Sequence, residues 1–192
     1  MNDHIGLFFG SFNPVHIGHL IIANHLANET DLDQVWMVVS PQNPFKEKKS
    51  LAKDRVRYHL VYLAIGDNPR IAASDVEFSL PRPSYTIDTL AYLHEKYPEK
   101  RFSLIMGGDN VPTLHKWKNG DLLLERYSIY VYGRPGYDPG PAGMHPNIRL
   151  VDAPLLDISS TYIRQLIAAK KSIRYLVPEP VRLELEKSNP YL

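Results

Sequence analysis

The stretch Ile5-Gly6-Leu7-Phe8-Phe9-Gly10-Ser11-Phe12-Asn13-Pro14-Val15-His16-Ile17-Gly18-His19 decides how this chain is read. Residues 5–9 form a continuous apolar run, the pattern of a strand buried on both faces. Gly10 lets the backbone turn and lets a ligand come close. Asn13-Pro14 fixes the turn into a helix. His16 and His19, three residues apart at the start of that helix, share one face. A helix start offers free N–H groups and a partial positive charge. Two imidazoles beside it line a small cavity with donors, which suits phosphate. For an isolated His-x-x-His, two ordinary histidines would be the better reading. A glycine turn straight after the first strand favours the phosphate site. The stretch is neither a Gly-x-Gly-x-x-Gly fingerprint nor a Walker loop, since no Gly-Lys-Ser/Thr follows.

Outward from this stretch, apolar strand-like runs alternate with helical spacings. Strands are expected at 5–9, 34–40, 70–73, 101–106, 127–132 and 148–151. Helices are expected at 17–28, 54–65, 86–97, 161–171 and 181–187, the third opened by Ser84 and Thr86 as caps and closed by Pro98. This alternation predicts an α/β fold: a Rossmann-like, doubly wound parallel sheet with helices on both faces and a C-terminal helical segment. In such a sheet the ligand lies at the carboxyl ends of the strands. The segments 10–13, 40–46 and 107–110 each follow a strand and are expected to gather there. The Gly/Pro-rich stretch 133–147 reads as a surface loop or lid, and 46–53 as a lysine-rich loop.

A second motif lies far along the chain: Ile158-Ser159-Ser160-Thr161-Tyr162-Ile163-Arg164. Serine and threonine cap helices, and Arg164 one turn in can fork onto phosphate oxygens. Alone, this would be a capped surface helix with a solvated arginine. Paired with the histidine motif, it can clamp a triphosphate from the opposite side.

Bulk properties narrow the class. With 192 residues, one domain spanning 1–192 is expected. A net charge of +1 leaves no overall footprint for nucleic acid or an acidic membrane, so neither is expected as a partner. The absence of cysteine excludes disulfides, thiolate metal sites and cysteine nucleophiles. No apolar run approaches the ~20 residues of a membrane span, and no secretory pattern opens the chain. A cytoplasmic location is expected, and homo-oligomerisation stays open.

The two motifs together resemble the nucleotidyltransferase superfamily that works through a His-x-Gly-His site. Within it the chain is most similar to the bacterial nicotinate mononucleotide adenylyltransferases. Three further segments carry the likeness: Pro83-Ser84-Tyr85-Thr86-Ile87-Asp88-Thr89-Leu90, Gly107-Gly108-Asp109 with Leu114 and Trp117, and Arg134-Pro135-Gly136 after a later strand. They span nearly the whole chain in order. The family often has Pro-Pro-His-Lys after its second strand. Here Asn43-Pro44-Phe45-Lys46 stands there, so only Lys46 carries over. Lys118 replaces an aromatic that often follows the family's tryptophan.

The resemblance implies adenylyl transfer from ATP to nicotinate mononucleotide in NAD biosynthesis. Mg²⁺ would be bound through the ATP phosphates, with no protein-held metal. It implies His16, His19 and Arg164 as catalytic residues. Gly10, Ser11, Phe12, Asp109, Ser159, Ser160 and Thr161 would bind ATP, Asp109 through a ribose hydroxyl or a hydrated metal. Asn13, Lys46, Thr86, Trp117 and Arg134 would bind the mononucleotide. Trp117 would stack on the pyridine in preference to serving as a core tryptophan, Thr86 would receive the carboxylate, and Lys46 would hold the mononucleotide phosphate or, as readily, stand as a solvated lysine of a basic loop. Arg134 would serve the mononucleotide or brace the lid. The alternatives are an adenylyltransferase for phosphopantetheine or nicotinamide mononucleotide, and a non-catalytic nucleotide-binding module.

Overall fold

The computed structural model describes residues 3–41, 51–133 and 140–191. Six parallel strands form one sheet: β1 (His4–Gly10), β2 (Gln34–Val39), β3 (Ile71–Ser74), β4 (Arg101–Gly107), β5 (Ile129–Tyr132) and β6 (Ile148–Val151). Their order is β3-β2-β1-β4-β5-β6. Helices surround the sheet: α1 (Ile17–Glu29), α2 (Asp54–Ile65), α3 (Thr86–Lys96), α4 (Gly120–Arg126), α5 (Ser160–Ala168) and α6 (Glu179–Lys187).

Alternation along the strands sets the two layers. On one face Phe8, Ile105, Tyr130 and Tyr132 pack with Leu26 of α1, Leu60 of α2, Ile163 of α5 and Val181 of α6. On the other, Leu7, Leu104, Met106 and Val131 pack with Leu90 and Leu93 of α3 and Leu123 of α4. The chain winds outward from β1 to β3, then returns past β1 to build β4 to β6. Strand order therefore reverses between β1 and β4, and a crevice opens at their carboxyl ends.

Several boundaries differ from the sequence reading for local reasons. The strand expected at 127–132 begins at Ile129, because the Tyr127 N–H closes α4 on the Leu123 carbonyl at 3.1 Å. α4 itself has no counterpart in the sequence reading; its Leu122-Leu123-Leu124 run has no helical period. α5 stops at Ala168 rather than 171. Lys170 takes φ 53°, and the Lys171 N–H bonds the Leu166 carbonyl at 2.8 Å, closing the helix as a left-handed C-cap does. α3 starts at Thr86, but its N-cap is Tyr85, with no side-chain cap; neither Ser84 nor Thr86 caps it. The lid reading of 133–147 holds a short 3₁₀ turn at Gly140–Met144; residues 134–139 lie outside the described residues, as do 42–50.

Candidate active site

A cleft of about 820 Å³ lies over the carboxyl ends of β1 and β4. Of the residues singled out in the sequence, Gly10, Ser11, Phe12, Asn13, His16, His19, Thr86, Asp109, Trp117, Ser159, Ser160, Thr161 and Arg164 all border it. Lys46 and Arg134 lie outside the described residues.

The turn after β1 is built differently from the glycine-hinge expectation. Gly10 is the last strand residue, and the left-handed position belongs to Phe12, at φ 43°. Gly10 is needed for space: a Cβ there would sit 2.7 Å from the Phe12 ring. Phe12 is buried, its ring packed edge-on against Phe8 and His19, so the ring offers no face to a ligand. Asn13 is buried as well, and its side-chain oxygen accepts the Ala52 N–H at 3.1 Å.

The two imidazoles are held in register. The His16 N–H donates to His19 Nδ1 at 3.2 Å. A nitrogen that accepts carries no proton, which leaves Nε2 as the N–H of His19. The rings stack with centroids 3.6 Å apart, and Phe12 meets His19 edge-on at 5.1 Å. Two charged rings at that spacing would repel. His19 is thus set as a neutral donor, narrower than the imidazole-or-imidazolium choice open from sequence. Gly18 makes room for the pair, since a Cβ there would lie 3.2 Å from the His16 ring. The start of α1 is less free than its sequence suggests. The Ile17 N–H donates to the Leu176 carbonyl at 3.0 Å, and the His19 N–H to the His16 carbonyl at 3.0 Å.

The distant serine–arginine motif docks directly on this turn. Ser160 Oγ donates to the Pro14 carbonyl at 2.8 Å, and Arg164 Nη1 to the Asn13 carbonyl at 2.8 Å. Ser159 caps α5 by accepting the Tyr162 N–H at 3.1 Å. The Ser160 and Thr161 N–H groups occupy the first two helical positions, where no carbonyl lies one turn back to receive them.

At the other end of the cleft, Trp117 is half-buried against the second core layer, next to the first turn of α3. Lys118 does not stack there as an aromatic would. Its ammonium pairs with Asp88 at 2.7 Å and lies 4.9 Å from the Tyr85 ring centroid, bracing the loop against α3. Tyr85 also lines the cleft, which supplies a second aromatic wall. Asp109 stands two residues past the end of β4, and its Oδ1 accepts from Asn110 Nδ2 at 3.2 Å.

Three more residues shape the site without having been picked out from sequence. One is Tyr85, which stands inside the Ser84-Tyr85-Thr86 segment. Another is Glu77. The third is Arg57, fully buried, whose guanidinium donates to the carbonyls of Ser11 at 2.5 Å, Ser40 at 2.9 Å and Ala52 at 2.9 Å. It ties the loop after β1 to the loop after β2. Its only sequence signal is an arginine at the inward face of an apolar helix.

Among the described residues no three of His, Cys, Asp and Glu gather as a metal site would require. Among the described residues no helix is long and apolar enough to cross a membrane.

Comparison with known proteins gives concordant likenesses. The cytidylyltransferase-like family profile matches residues 7–166. A protein of Cytophaga hutchinsonii is 56% identical, with 97% of each chain covered. One of Flavobacterium johnsoniae is 52% identical over 97% of this chain and 98% of its own. Both bear the name "Probable nicotinate-nucleotide adenylyltransferase". Among solved structures, the Plasmodium falciparum nicotinic acid mononucleotide adenylyltransferase complexed with NaAD superposes with TM-score 0.84 at 21% identity, covering 98% of this chain and 97% of that one.

Proposed function

The chain belongs to the cytidylyltransferase-like family and, within it, to the nicotinate-nucleotide adenylyltransferases, and on that premise we propose that it transfers the adenylyl group of ATP to nicotinate mononucleotide. The products are nicotinate adenine dinucleotide and pyrophosphate, in NAD biosynthesis. The observation that carries the reading is the docking of Ser160 and Arg164 on the Pro14 and Asn13 carbonyls, beside His16 and His19.

The chemistry fits such a site. The nucleophile is a phosphate monoester oxygen, whose second pKa of ~6 leaves it largely ionised at neutral pH. It attacks the α-phosphorus, and the bond to the bridging oxygen of the β-phosphate breaks. No side chain has to remove a proton or form a covalent intermediate. The protein's part is alignment and charge stabilisation. His19 Nε2–H and His16 would meet the α- and β-phosphate oxygens. Arg164 and the Ser160 and Thr161 N–H groups would take the β- and γ-phosphates, with Ser159 holding the helix end in place. Gly10, Ser11 and Phe12 would offer backbone to the nucleotide, and Asp109 would bind the ribose.

Mg²⁺ bound on the ATP phosphates would neutralise part of their charge, and it keeps most of its waters. Trp117 would stack on the pyridine. Thr86 would meet its carboxylate at a helix start, where donors favour the acid over the amide. Asn13 would act through its backbone. Lys46 and Arg134 complete the mononucleotide side from sequence alone. The same reading takes 1–192 as one domain in the cytoplasm, without nucleic acid or membrane as partners.

The test is to follow the α-phosphorus. ATP labelled there should pass its label to the dinucleotide and none to pyrophosphate, and transfer should require an acceptor mononucleotide. A His16→Ala, His19→Ala double variant that kept wild-type label transfer would remove this site from the chemistry.

A further inference from the structure

Glu77 borders the cleft, yet none of the roles above employs it. It stands in the 3₁₀ turn Val76–Ser79 after β3 and is 3% exposed. Its Oε1 accepts the Thr89 hydroxyl at 2.9 Å. Its Oε2 is buried with no partner in hydrogen-bonding geometry, and the Ser40 and Ser84 hydroxyls also act on the carboxyl. Three segments therefore meet on one side chain: the end of β2 through Ser40, the approach to α3 through Ser84, and α3 itself through Thr89. Thr89 Oγ1 also lies 3.3 Å from the carbonyl of Tyr85, the N-cap of α3. The chain of contacts thus runs from Glu77 to the turn that presents Thr86.

We propose that Glu77 is a positioning residue for the pyridine end of the cleft: its carboxyl holds the first turn of α3 so that the Thr86 N–H is aimed at the substrate's carboxylate. The inference rests on the nicotinate reading given above. Electrostatics supports it. Burial pushes the Glu77 carboxyl up, and the groups that oppose this are three uncharged hydroxyls. That direction favours the protonated carboxyl, a hydrogen-bonded strut that sets less negative charge beside the positive end of α3.

The experiment is steady-state kinetics of wild type, Glu77→Gln, Glu77→Ala and Thr89→Val, with ATP and with nicotinate and nicotinamide mononucleotides. Loss of one buried hydrogen bond at this strut is expected to raise KM for nicotinate mononucleotide roughly tenfold in Glu77→Ala and Thr89→Val. KM for ATP and kcat should hold, and the acid-over-amide preference should shrink. Glu77→Gln, which keeps the acceptor for Thr89, should retain wild-type kinetics. Thr89→Val keeps the shape, so it decides the matter if Glu77→Ala does not fold. Equal changes in KM for both substrates, or an unchanged KM for nicotinate mononucleotide, overturns the inference. A wild type inactive with nicotinate mononucleotide would instead overturn the functional reading on which it rests.

Discussion

In the proposed mechanism, His19 is the residue on which the chemistry turns. It was visible in the sequence, but its protonation was not. That depends on the His16 N–H reaching Nδ1 at 3.2 Å, a contact between a backbone atom and a ring. Removing one such preorganised donor costs about 3 kcal/mol in the barrier, so His19→Ala is expected to lower kcat by roughly a hundredfold or more. KM for nicotinate mononucleotide should change little. Initial-rate kinetics at saturating ATP checks this. Glu77, by contrast, was not legible. It lies outside every motif, and its importance arises from burial beside Thr89, which no local pattern encodes. Its carboxyl is raised in the folded state. The folded form therefore keeps its proton to higher pH than the unfolded chain. The stability linked to that proton is complete below the usual value of 4.5 and is lost as pH rises through the folded pKa. Glu77→Gln cannot ionise. It should melt near wild type at pH 4 and above wild type at pH 8; a gap that ignores pH would contradict this.

At the level of elements, the strand–turn–helix unit at the first motif was readable because its signals are local: an apolar run, a glycine, and a helical histidine spacing. How the turn is made was not readable, since the Phe12 ring packs over Gly10 and takes the left-handed position itself. α4 escaped because seven residues with three consecutive leucines give no period. The glycine inside the histidine motif separates function from folding. Gly18→Ala should favour the helix by up to about 1 kcal/mol on propensity alone. Yet the new Cβ would press on the His16 ring at 3.2 Å. The expectation is unchanged or raised melting temperature with kcat reduced roughly tenfold, measured on the same preparation. Lower stability with full activity would be the opposite of this account.

Across the whole molecule, the two ends of the sheet have separate tasks. The cleft lies at the carboxyl ends. At the amino ends, Asp31 gathers Tyr130, Arg101 at 3.0 Å and Arg149 at 2.8 Å, with His4 beside it. Partial burial pushes its carboxyl up, but the Tyr130 hydroxyl and the Arg149 guanidinium outweigh this and hold it at about 2. A carboxyl held below its usual 3.8 stabilises the fold above that pH and ceases to do so as pH falls through the folded value. The group is half-exposed, so solvent screening keeps the effect small. Asp31→Asn should lower the melting temperature at pH 7, with the difference closing between pH 4 and pH 2, and leave kcat untouched. The doubly wound architecture was legible from strand and helix alternation. The docking of residues 160 and 164 onto residues 14 and 13 was only implied, because it depends on how β6 and α5 return across the sheet.

In the proposed function that docking makes the cleft a triphosphate clamp, and the first turn of α3 with Trp117 sets which second substrate enters. The decisive measurement is therefore kcat/KM for pyrophosphate release from ATP with nicotinate mononucleotide, nicotinamide mononucleotide and phosphopantetheine assayed side by side. Turnover highest with nicotinate mononucleotide is the predicted result. No turnover with either pyridine mononucleotide, or a preference for phosphopantetheine, would contradict the account.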